Sequence, residues 1–277
     1  MERYGRIFVF GAHGMLGNYV CSYLYQKEHK VVGVFRQDFD ISSLTIPHLI
    51  GFFEERNISD GDIVINCAGV IPQSGQKNLR EYFTINSLFP VVLSLICQQR
   101  KVQMIHITTD CVFKGESCNY DENCLSDEIS DYGVSKSLGD LADCCIIRTS
   151  IIGEEKKGKR SLLEWVRSNQ GQEINGYTDH LWNGVTCLQL AKIIHSIIQQ
   201  KSYWKGIRHI FSPRSVSKYE LVSLINQIYD LGIKINPVST ARVDKTLSSI
   251  YPLGLIPDIA EQISELREFT ITTINPN

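Results

Sequence analysis

A tyrosine and a lysine four residues apart, in Tyr132-Gly133-Val134-Ser135-Lys136, are the first candidates for chemistry. On a helix, residues at this spacing lie on the same face. A lysine ammonium beside a phenol favours the phenolate, so we expect the pKa of Tyr132 to fall from about 10 towards the working pH. Such a proton donor suits the reduction of a ketone, because the new alkoxide must be protonated as hydride arrives. Thr109, at the end of an apolar run, could hydrogen-bond the same oxygen.

A glycine-rich turn, Gly11-Ala12-His13-Gly14-Met15-Leu16-Gly17, is the second candidate. The apolar run 6–10 precedes it, and the amphipathic segment 16–26 and the apolar run 30–35 follow, which predicts strand, turn, helix and strand. Glycines permit a tight turn and let a pyrophosphate approach a helix N-terminus, where backbone N–H groups and the helix dipole favour anions. This segment therefore predicts dinucleotide binding.

The residues after the second predicted strand bear on which dinucleotide is bound. Arg36 follows that strand directly, and an arginine in this place favours the 2′-phosphate of NADP. Asp38 and Asp40 are close by, and an acidic residue there would accept a hydrogen bond from an adenosine ribose and favour NAD. We expect NADPH as the cofactor, with NADH as the other option.

Apolar runs and helical patterns alternate with short loops up to about residue 150. Further strands are predicted at 62–66, 105–109 and 144–148, and helices at 42–57, 78–86, 90–100 and around Tyr132, with Pro90 as a restart or kink. This alternation predicts an α/β fold, a Rossmann-type doubly wound parallel sheet with right-handed crossovers. We expect a dinucleotide-binding domain at 1–150, joined by a returning segment near 184–212, and a smaller C-terminal α/β domain at 151–277 that mainly binds substrate.

Two segments after residue 150 carry candidate ligand groups. The charged loop 154–160 either covers a site or is merely solvated. The segment 176–184 is dense in aromatic, amide, imidazole and carboxylate groups, which suit a sugar ligand or a rigid turn around a buried Trp182. The remaining predicted elements are helices at 161–169, 186–200, 217–229 and 259–269 and a strand at 207–211, with a capping-box spacing at Ser217 and Glu220.

Composition excludes several classes of protein. The net charge of −2 does not indicate a nucleic-acid partner, and no long uncharged apolar run predicts a membrane span. The start lacks a signal-peptide pattern, and nine cysteines without any Cys-x-x-Cys indicate free thiols in a reducing cytoplasm. We expect no metal site, because the cysteine and histidine spacing does not suit zinc. Cys118 and Cys124, in a polar loop, could pair, although free thiols are the expectation.

Taken together, these motifs resemble the extended short-chain dehydrogenase/reductase superfamily and, within it, the dTDP-4-dehydrorhamnose reductase group. The matching residues are Gly11 to Gly17, Asp40-Ile41, Asn66 to Gly69, Asn86, Thr108 to Gly115, Tyr132 to Lys136, Arg148-Thr149-Ser150 and Ser217 to Leu221. The resemblance implies NAD(P)H-dependent reduction of a nucleotide-linked 4-keto-6-deoxyhexose in deoxysugar biosynthesis, and a homodimer as one option.

The resemblance also implies roles for individual residues. Tyr132 would be the proton donor, Lys136 would tune it and hold the nicotinamide ribose, and Thr109 would orient the keto oxygen. The implied cofactor contacts are Gly11, His13, Gly14, Met15, Leu16, Gly17, Arg36, Asp40, Ile41, Cys67, Ala68, Gly69, Asn86, Thr108, Tyr132 and Lys136. The implied substrate contacts are Val70, Asp110, Cys111, Val112, Phe113, His180, Trp182 and Asn183.

Three alternatives remain open from the sequence. The segment after Ser150 departs from the rhamnose enzymes, so a UDP-2-acetamido-6-deoxy-4-ketohexose is as plausible a substrate as dTDP-4-dehydrorhamnose. Cys111 and His180 occupy regions where GDP-fucose synthases carry the residues that epimerise a 4-ketose before its reduction. The chain could also be a non-catalytic NADP-binding regulatory subunit, like the β-subunit of methionine adenosyltransferase, which shares this fold.

Overall fold

The computed structural model of the protein describes residues 5–75, 78–117, 119–156 and 159–272. The strands in chain order are β1 (Ile7–Phe10), β2 (Val31–Val34), β3 (Ile63–Asn66), β4 (Gln103–Thr109), β5 (Cys145–Thr149), β6 (Ile151–Ile152), β7 (Glu173–Tyr177), β8 (His180–Trp182), β9 (Val185–Thr186), β10 (Gly206–His209), β11 (Val216–Ser217), β12 (Lys234–Val238) and β13 (Val243–Asp244). The α-helices are α1 (Met15–Gln26), α2 (Ile46–Glu55), α3 (Leu79–Tyr82), α4 (Phe89–Gln99), α5 (Asp131–Gly139), α6 (Leu162–Ser168), α7 (Cys187–Gln200), α8 (Lys218–Tyr229) and α9 (Ile259–Glu268).

The largest sheet has six parallel strands in the order β10-β5-β4-β3-β1-β2. The chain moves from β1 to β2 on one side and then returns to β3 on the other side of β1. This reversal of strand order opens a crevice at the carboxyl ends of β1 and β3, which is where open α/β sheets bind ligands. The predicted Rossmann-type doubly wound sheet is confirmed.

Both faces of the sheet are covered by helices, so its central strands are apolar on both sides. In β1, Ile7 and Val9 pack into the core formed with α1 and α7, while Phe8 and Phe10 pack into the core formed with α2 and α4. The alternation follows from the two-residue period of a strand. These cores hold the carboxyl ends of the strands, and hence the crevice, in place.

Three predicted helices differ from the structure in their details. The helix predicted at 42–57 is a 3₁₀ turn, Ile41–Ser43, followed by α2, because the Asp40 side chain caps the turn and Thr45 caps the helix. The helices predicted on either side of Pro90 are continuous, since a π-helical segment, Phe83–Leu88, joins α3 to α4. Pro90 is the second residue of α4 and directly follows this π-helical segment.

The chain after residue 150 contributes to two structural regions. Helix α7 packs on α1, and β10 extends the large sheet beside β5. This part of the chain therefore belongs to the same region as the large sheet. Elsewhere β7 pairs with β12, and β8 pairs with β11 and β13. Strands β12 and β13 were not predicted, because β12 contains Pro237 and β13 has only two residues. The domain boundary at residue 150 stays a prediction.

The eight cysteines that the structure describes are free thiols, five of them buried. Cys118 lies outside the described residues, so the predicted option of a Cys118–Cys124 disulfide also lies outside them. Within the described ranges, no helix combines the length and apolar character required to cross a membrane.

Candidate active site

Two adjoining cavities lie at the carboxyl edge of the large sheet. One, of about 470 Å³, contains Thr109, Tyr132 and Lys136 and is called the Tyr132 cavity below. The other, of about 310 Å³, is called the glycine-turn cavity and contains Gly11 and Arg36. The two cavities share His13, Gly14, Cys67, Ala68 and Gly69. Together they form an extended site of the kind that a dinucleotide and a second ligand require.

The glycine turn brings backbone close to backbone. Gly11 has φ +74°, and a Cβ on Gly17 would lie 2.1 Å from the Gly11 carbonyl oxygen, so neither position accepts a side chain without displacement. Gly14 begins α1 without a side-chain cap, which leaves the first N–H groups of the helix directed at the cavities. The residues present therefore fit a pyrophosphate. Gly17 itself lies behind the turn and lines neither cavity.

Arg36 lies at the rim of the glycine-turn cavity. Its side chain is 75% exposed, pairs with Asp40 at 3.2 Å and contacts the Ser42 hydroxyl at 3.4 Å. Burial raises the pKa of Asp40, but hydrogen bonds from Ser42 and Arg36 outweigh it and lower the pKa below its usual value. The carboxylate is thus ionised and partly neutralised by Arg36. Ile41 lines the same cavity, which also contains Val70, a predicted substrate contact.

Tyr132 and Thr109 lie next to each other in the wall of the Tyr132 cavity. Burial raises the pKa of Tyr132 above its usual value, the neighbouring Cys111 raises it further, and a hydrogen bond with Thr109 opposes the rise. The predicted fall of this pKa towards neutrality is therefore wrong for the protein alone. Lys136 is itself buried, which lowers its own pKa, and its Nζ donates to the Ile107 carbonyl at 3.4 Å. Tyr132 is a neutral phenol, which is the form that can donate a proton.

Helix α5 holds Tyr132 and Lys136 through contacts on both sides. The Ser130 side chain caps its N-terminus by accepting from the Gly133 N–H at 3.3 Å. Asn86, in the π-helical segment, accepts from the Val70 N–H at 2.9 Å and donates to the Val70 carbonyl and the Ser135 hydroxyl. Asn86 thus links α5 to the turn after β3. It lies behind Gly69 and lines neither cavity, so its predicted contact with the cofactor stays a prediction.

The residues that follow Thr109 form a short hydrogen-bonded chain. The Thr109 hydroxyl donates to Asp110 at 3.2 Å and accepts from the Cys111 N–H at 3.1 Å, and the Cys111 thiol lies 3.5 Å from Asp110. Burial raises the pKa of Cys111 to about 12, and the Asp110 charge raises it too. Cys111 is therefore a thiol at neutral pH. Asp110 and Cys111 both line the Tyr132 cavity, and their contact with a substrate stays a prediction.

The other predicted substrate contacts line neither cavity. Phe113 is fully buried and stacks on Tyr120 at 4.2 Å, next to the equally buried Val112. Asn183 is buried, and its amide bonds the Leu247 backbone N–H at 2.9 Å and carbonyl at 2.8 Å. His180 contacts Thr240 at 3.0 Å, and Trp182 is buried in the main core. Contact of these residues with a substrate stays a prediction.

Several cavity residues were not predicted from the sequence. Glu155 and Arg160, in the charged loop 154–160, line the Tyr132 cavity together with Ser161 and Leu162. The cluster of charges was the signal for this loop, but it did not distinguish a cavity wall from a solvated segment. Lys218, the first residue of α8, lines neither cavity but lies 5.5 Å over the Trp182 ring, and the nearby Asp110 and Cys111 oppose the lowering of its pKa by burial. Lys218 belongs to the segment Ser217 to Leu221 that matches the family, but no site role was predicted for it from the sequence.

Comparison with known proteins identifies the family. The model of the RmlD substrate binding domain matches residues 5–248. The probable low-salt glycan biosynthesis reductase Agl14 of Haloferax volcanii is 32% identical over 190 residues. The aligned region covers 62% of this chain and 63% of Agl14, so this chain spans less than two thirds of that relative. The dTDP-4-keto-6-deoxy-D-glucose reductase of Streptomyces niveus is 26% identical over 252 residues, 86% of this chain and 84% of that enzyme.

A solved structure agrees with this assignment at the level of the fold. The crystal structure of dTDP-4-dehydrorhamnose reductase from Bacillus anthracis in complex with NADP is similar with a TM-score of 0.82 at 21% identity. The similarity covers 96% of this chain and 99% of that one. With 244 of the 277 residues inside the family match, the chain belongs to the RmlD substrate-binding-domain family.

Proposed function

We propose that this protein is an NADPH-dependent reductase of a nucleotide-linked 4-keto-6-deoxyhexose. The observation that carries the proposal is that Thr109, Tyr132 and Lys136 line one cavity, which joins the cavity of the glycine turn. The names of relatives in Haloferax volcanii and Streptomyces niveus, both reductases, support the same class of reaction. The sugar is either dTDP-4-dehydrorhamnose or a UDP-2-acetamido-6-deoxy-4-ketohexose.

The cofactor would lie across both cavities. The N-terminus of α1 would hold the pyrophosphate, Arg36 the 2′-phosphate, and Lys136 the ribose next to the reacting carbon. When bound, NADPH supplies the hydride. Tyr132, as a neutral phenol, donates the proton to the new alkoxide, and Thr109 orients the keto oxygen beside it.

The geometry gives less support to a combined epimerase and reductase. Such an enzyme needs a base beside the ketone, and Cys111 is a thiol because burial raises its pKa to about 12. His180 contacts Thr240 and Tyr177 and lines neither cavity. Reduction at C4 without epimerisation is therefore the function proposed.

The test is the loss of reduced-nicotinamide absorbance with a panel of nucleotide-linked 4-keto-6-deoxyhexoses. NADPH and NADH are compared, and Tyr132→Phe serves as the matched variant, since it removes only one hydroxyl. We expect oxidation of NADPH with at least one sugar and a loss of roughly 10²- to 10⁴-fold in kcat in the variant, the usual contribution of a general acid.

The outcome separates the classes of function. Tight NADPH binding without turnover on any sugar would contradict the reductase and favour the regulatory subunit. Incorporation of solvent deuterium at C3 or C5 of the product would instead support the epimerase, because epimerisation exchanges a carbon-bound proton.

A further inference from the structure

Four buried polar atoms without a hydrogen-bond partner lie between α5 and the large sheet. They are His106 Nε2 and Thr108 Oγ1 on β4, Arg148 Nε on β5, and Asp140 Oδ1 at the C-terminus of α5. In the described part of the chain only one more such atom occurs, Glu265 Oε2. Buried polar groups are nearly always hydrogen-bonded, so four in one place require an explanation.

The four atoms belong to one layer, called the α5 polar layer below. Thr108 and Arg148 are direct neighbours in the register of β4 and β5, and His106 lies two residues before Thr108, on the same face of its strand. Asp140 Oδ2 accepts from Arg148 Nη2 at 2.7 Å, and the two side chains are only 5% and 3% exposed. The other carboxylate oxygen, Asp140 Oδ1, takes no part in this ion pair.

The hydrogen bonds of Asn66 determine the tautomer of His106. Asn66 Oδ1 accepts from the Ala68 N–H at 3.1 Å, so the Asn66 amide nitrogen donates to His106 Nδ1 at 3.2 Å. His106 therefore carries its proton on Nε2. Burial and the nearby Lys136 hold the pKa of His106 well below its usual value, so the ring is neutral. A buried N–H donor of His106 thus points into the layer.

Lys136 belongs to the same layer. It lies one turn before Asp140, whose N–H donates to the Lys136 carbonyl at 3.2 Å, so both side chains are on one face of α5. The ammonium donates to Ile107, between His106 and Thr108, at 3.4 Å, a long bond. Burial lowers the pKa of Lys136, and Asp140, Cys111 and Cys67 oppose this, Asp140 most strongly. His106 also faces it, and Tyr132, one turn earlier on α5, shares its cavity.

We propose that ordered water occupies the α5 polar layer, and that Asp140 acts through it as a positioning residue that keeps Lys136 charged. A buried water needs two to four polar partners. The layer supplies donors at His106 Nε2 and Arg148 Nε and acceptors at Asp140 Oδ1 and Thr108 Oγ1. The same water offers the Lys136 ammonium a hydrogen bond better than the long one to Ile107.

The first test is a high-resolution crystal structure of the wild-type chain and of Thr108→Val. We expect solvent density within hydrogen-bond distance of at least two of the four atoms, and its loss or displacement in Thr108→Val, which keeps the shape but removes the hydroxyl. A dry layer in the wild type would overturn the proposal. This test does not depend on the proposed function, because the crystal structure shows whether water is present even if the protein is not a reductase.

The second test rests on the proposed function and uses the pH profile of kcat. Lys136 must be charged, and removing the anion that raises its pKa lets that pKa fall further. Asp140→Asn should therefore move the basic limb of the profile to lower pH by roughly one unit. The control is Asp143→Asn, because Asp143 carries the same charge three residues away but pairs at the surface with Lys205.

Removing one partner of a buried ion pair can unfold a protein, because the other charge is left buried and unpaired. The double variant Asp140→Asn, Arg148→Gln removes both charges and still removes the anion that faces Lys136. A shift in the same direction would support the proposal, and we expect it to be smaller because the loss of the Arg148 cation partly offsets the loss of the Asp140 anion. An unchanged basic limb in a folded variant, or an equal shift in Asp143→Asn, would overturn the role of Asp140.

Discussion

At the scale of single residues, the charge state of Tyr132 sets what the site can do. Burial raises its pKa above the usual value of about 10, so the phenol form persists throughout the neutral range. We expect the ultraviolet difference spectrum between the wild type and Tyr132→Phe to show no phenolate at pH 9. A phenolate signal that the variant lacks would contradict the geometry and favour the lowered pKa expected from the Tyr-x-x-x-Lys spacing.

Arg36 is the residue expected to distinguish NADPH from NADH. A charge-assisted hydrogen bond contributes about 1.5–3 kcal/mol, so Arg36→Gln should weaken NADPH binding by ~10-fold or more. NADH lacks the 2′-phosphate, so its affinity should change little. The measurement is calorimetric titration with both cofactors. Arg100→Gln is the control, because Arg100 is a partly buried arginine that pairs with Glu54 and lines neither cavity. Equal losses for NADPH and NADH would exclude Arg36 as the phosphate contact.

At the scale of elements, the close approach of α5 to the π-helical segment holds the reacting groups. A Cβ on Gly139 would lie 2.1 Å from the Asn86 carbonyl oxygen, so Gly139→Ala forces the two segments apart. We expect it to destabilise the protein by roughly 1–3 kcal/mol, in the range of overpacked core variants. Urea unfolding measures this free energy.

Gly51→Ala is the matched control for this substitution. Gly51 lies within α2, and no atom lies within 4 Å of the Cβ it would gain. Alanine is the better helix former, so this variant should stabilise the protein by about 0.5–1 kcal/mol. Similar losses of stability in both variants would show that contact with Asn86 is not what makes Gly139 necessary.

At the scale of the whole molecule, one hydrophobic core joins residues before position 150 to the returning segment predicted near 184–212. The core on the α1 face of the sheet contains Leu188, Ala191 and Ile194 of α7 as well as Tyr19 and Leu24 of α1. A fragment of residues 1–150 would expose this face to water. We therefore expect the fragment to lack a cooperative thermal transition by circular dichroism, and the full chain to unfold in urea in a single step. A folded fragment would establish the boundary at residue 150 as a domain boundary.

Local signals in the sequence were sufficient for much of the fold. The glycine turn between β1 and α1 and the capping box of Ser217 and Glu220 each depend on residues within a few positions of one another. Such signals work because caps, tight turns and strand periodicity are set by covalent spacing. For the same reason the sequence alone predicted the doubly wound sheet and the candidate residues Thr109, Tyr132 and Lys136.

Only the tertiary structure decided the environment of those residues. The pKa of Tyr132 rises because surrounding parts of the chain remove water from it, and desolvation has no signature in a four-residue spacing. His180, Trp182 and Asn183 resemble a sugar site in sequence, yet Asn183 is bonded to Leu247 and Trp182 lies in the core. The α5 polar layer joins β4, β5 and α5, which meet only because parallel strands and their crossover helix pack together. Burial and long-range packing are properties of the folded chain, and they determine here which polar groups can act.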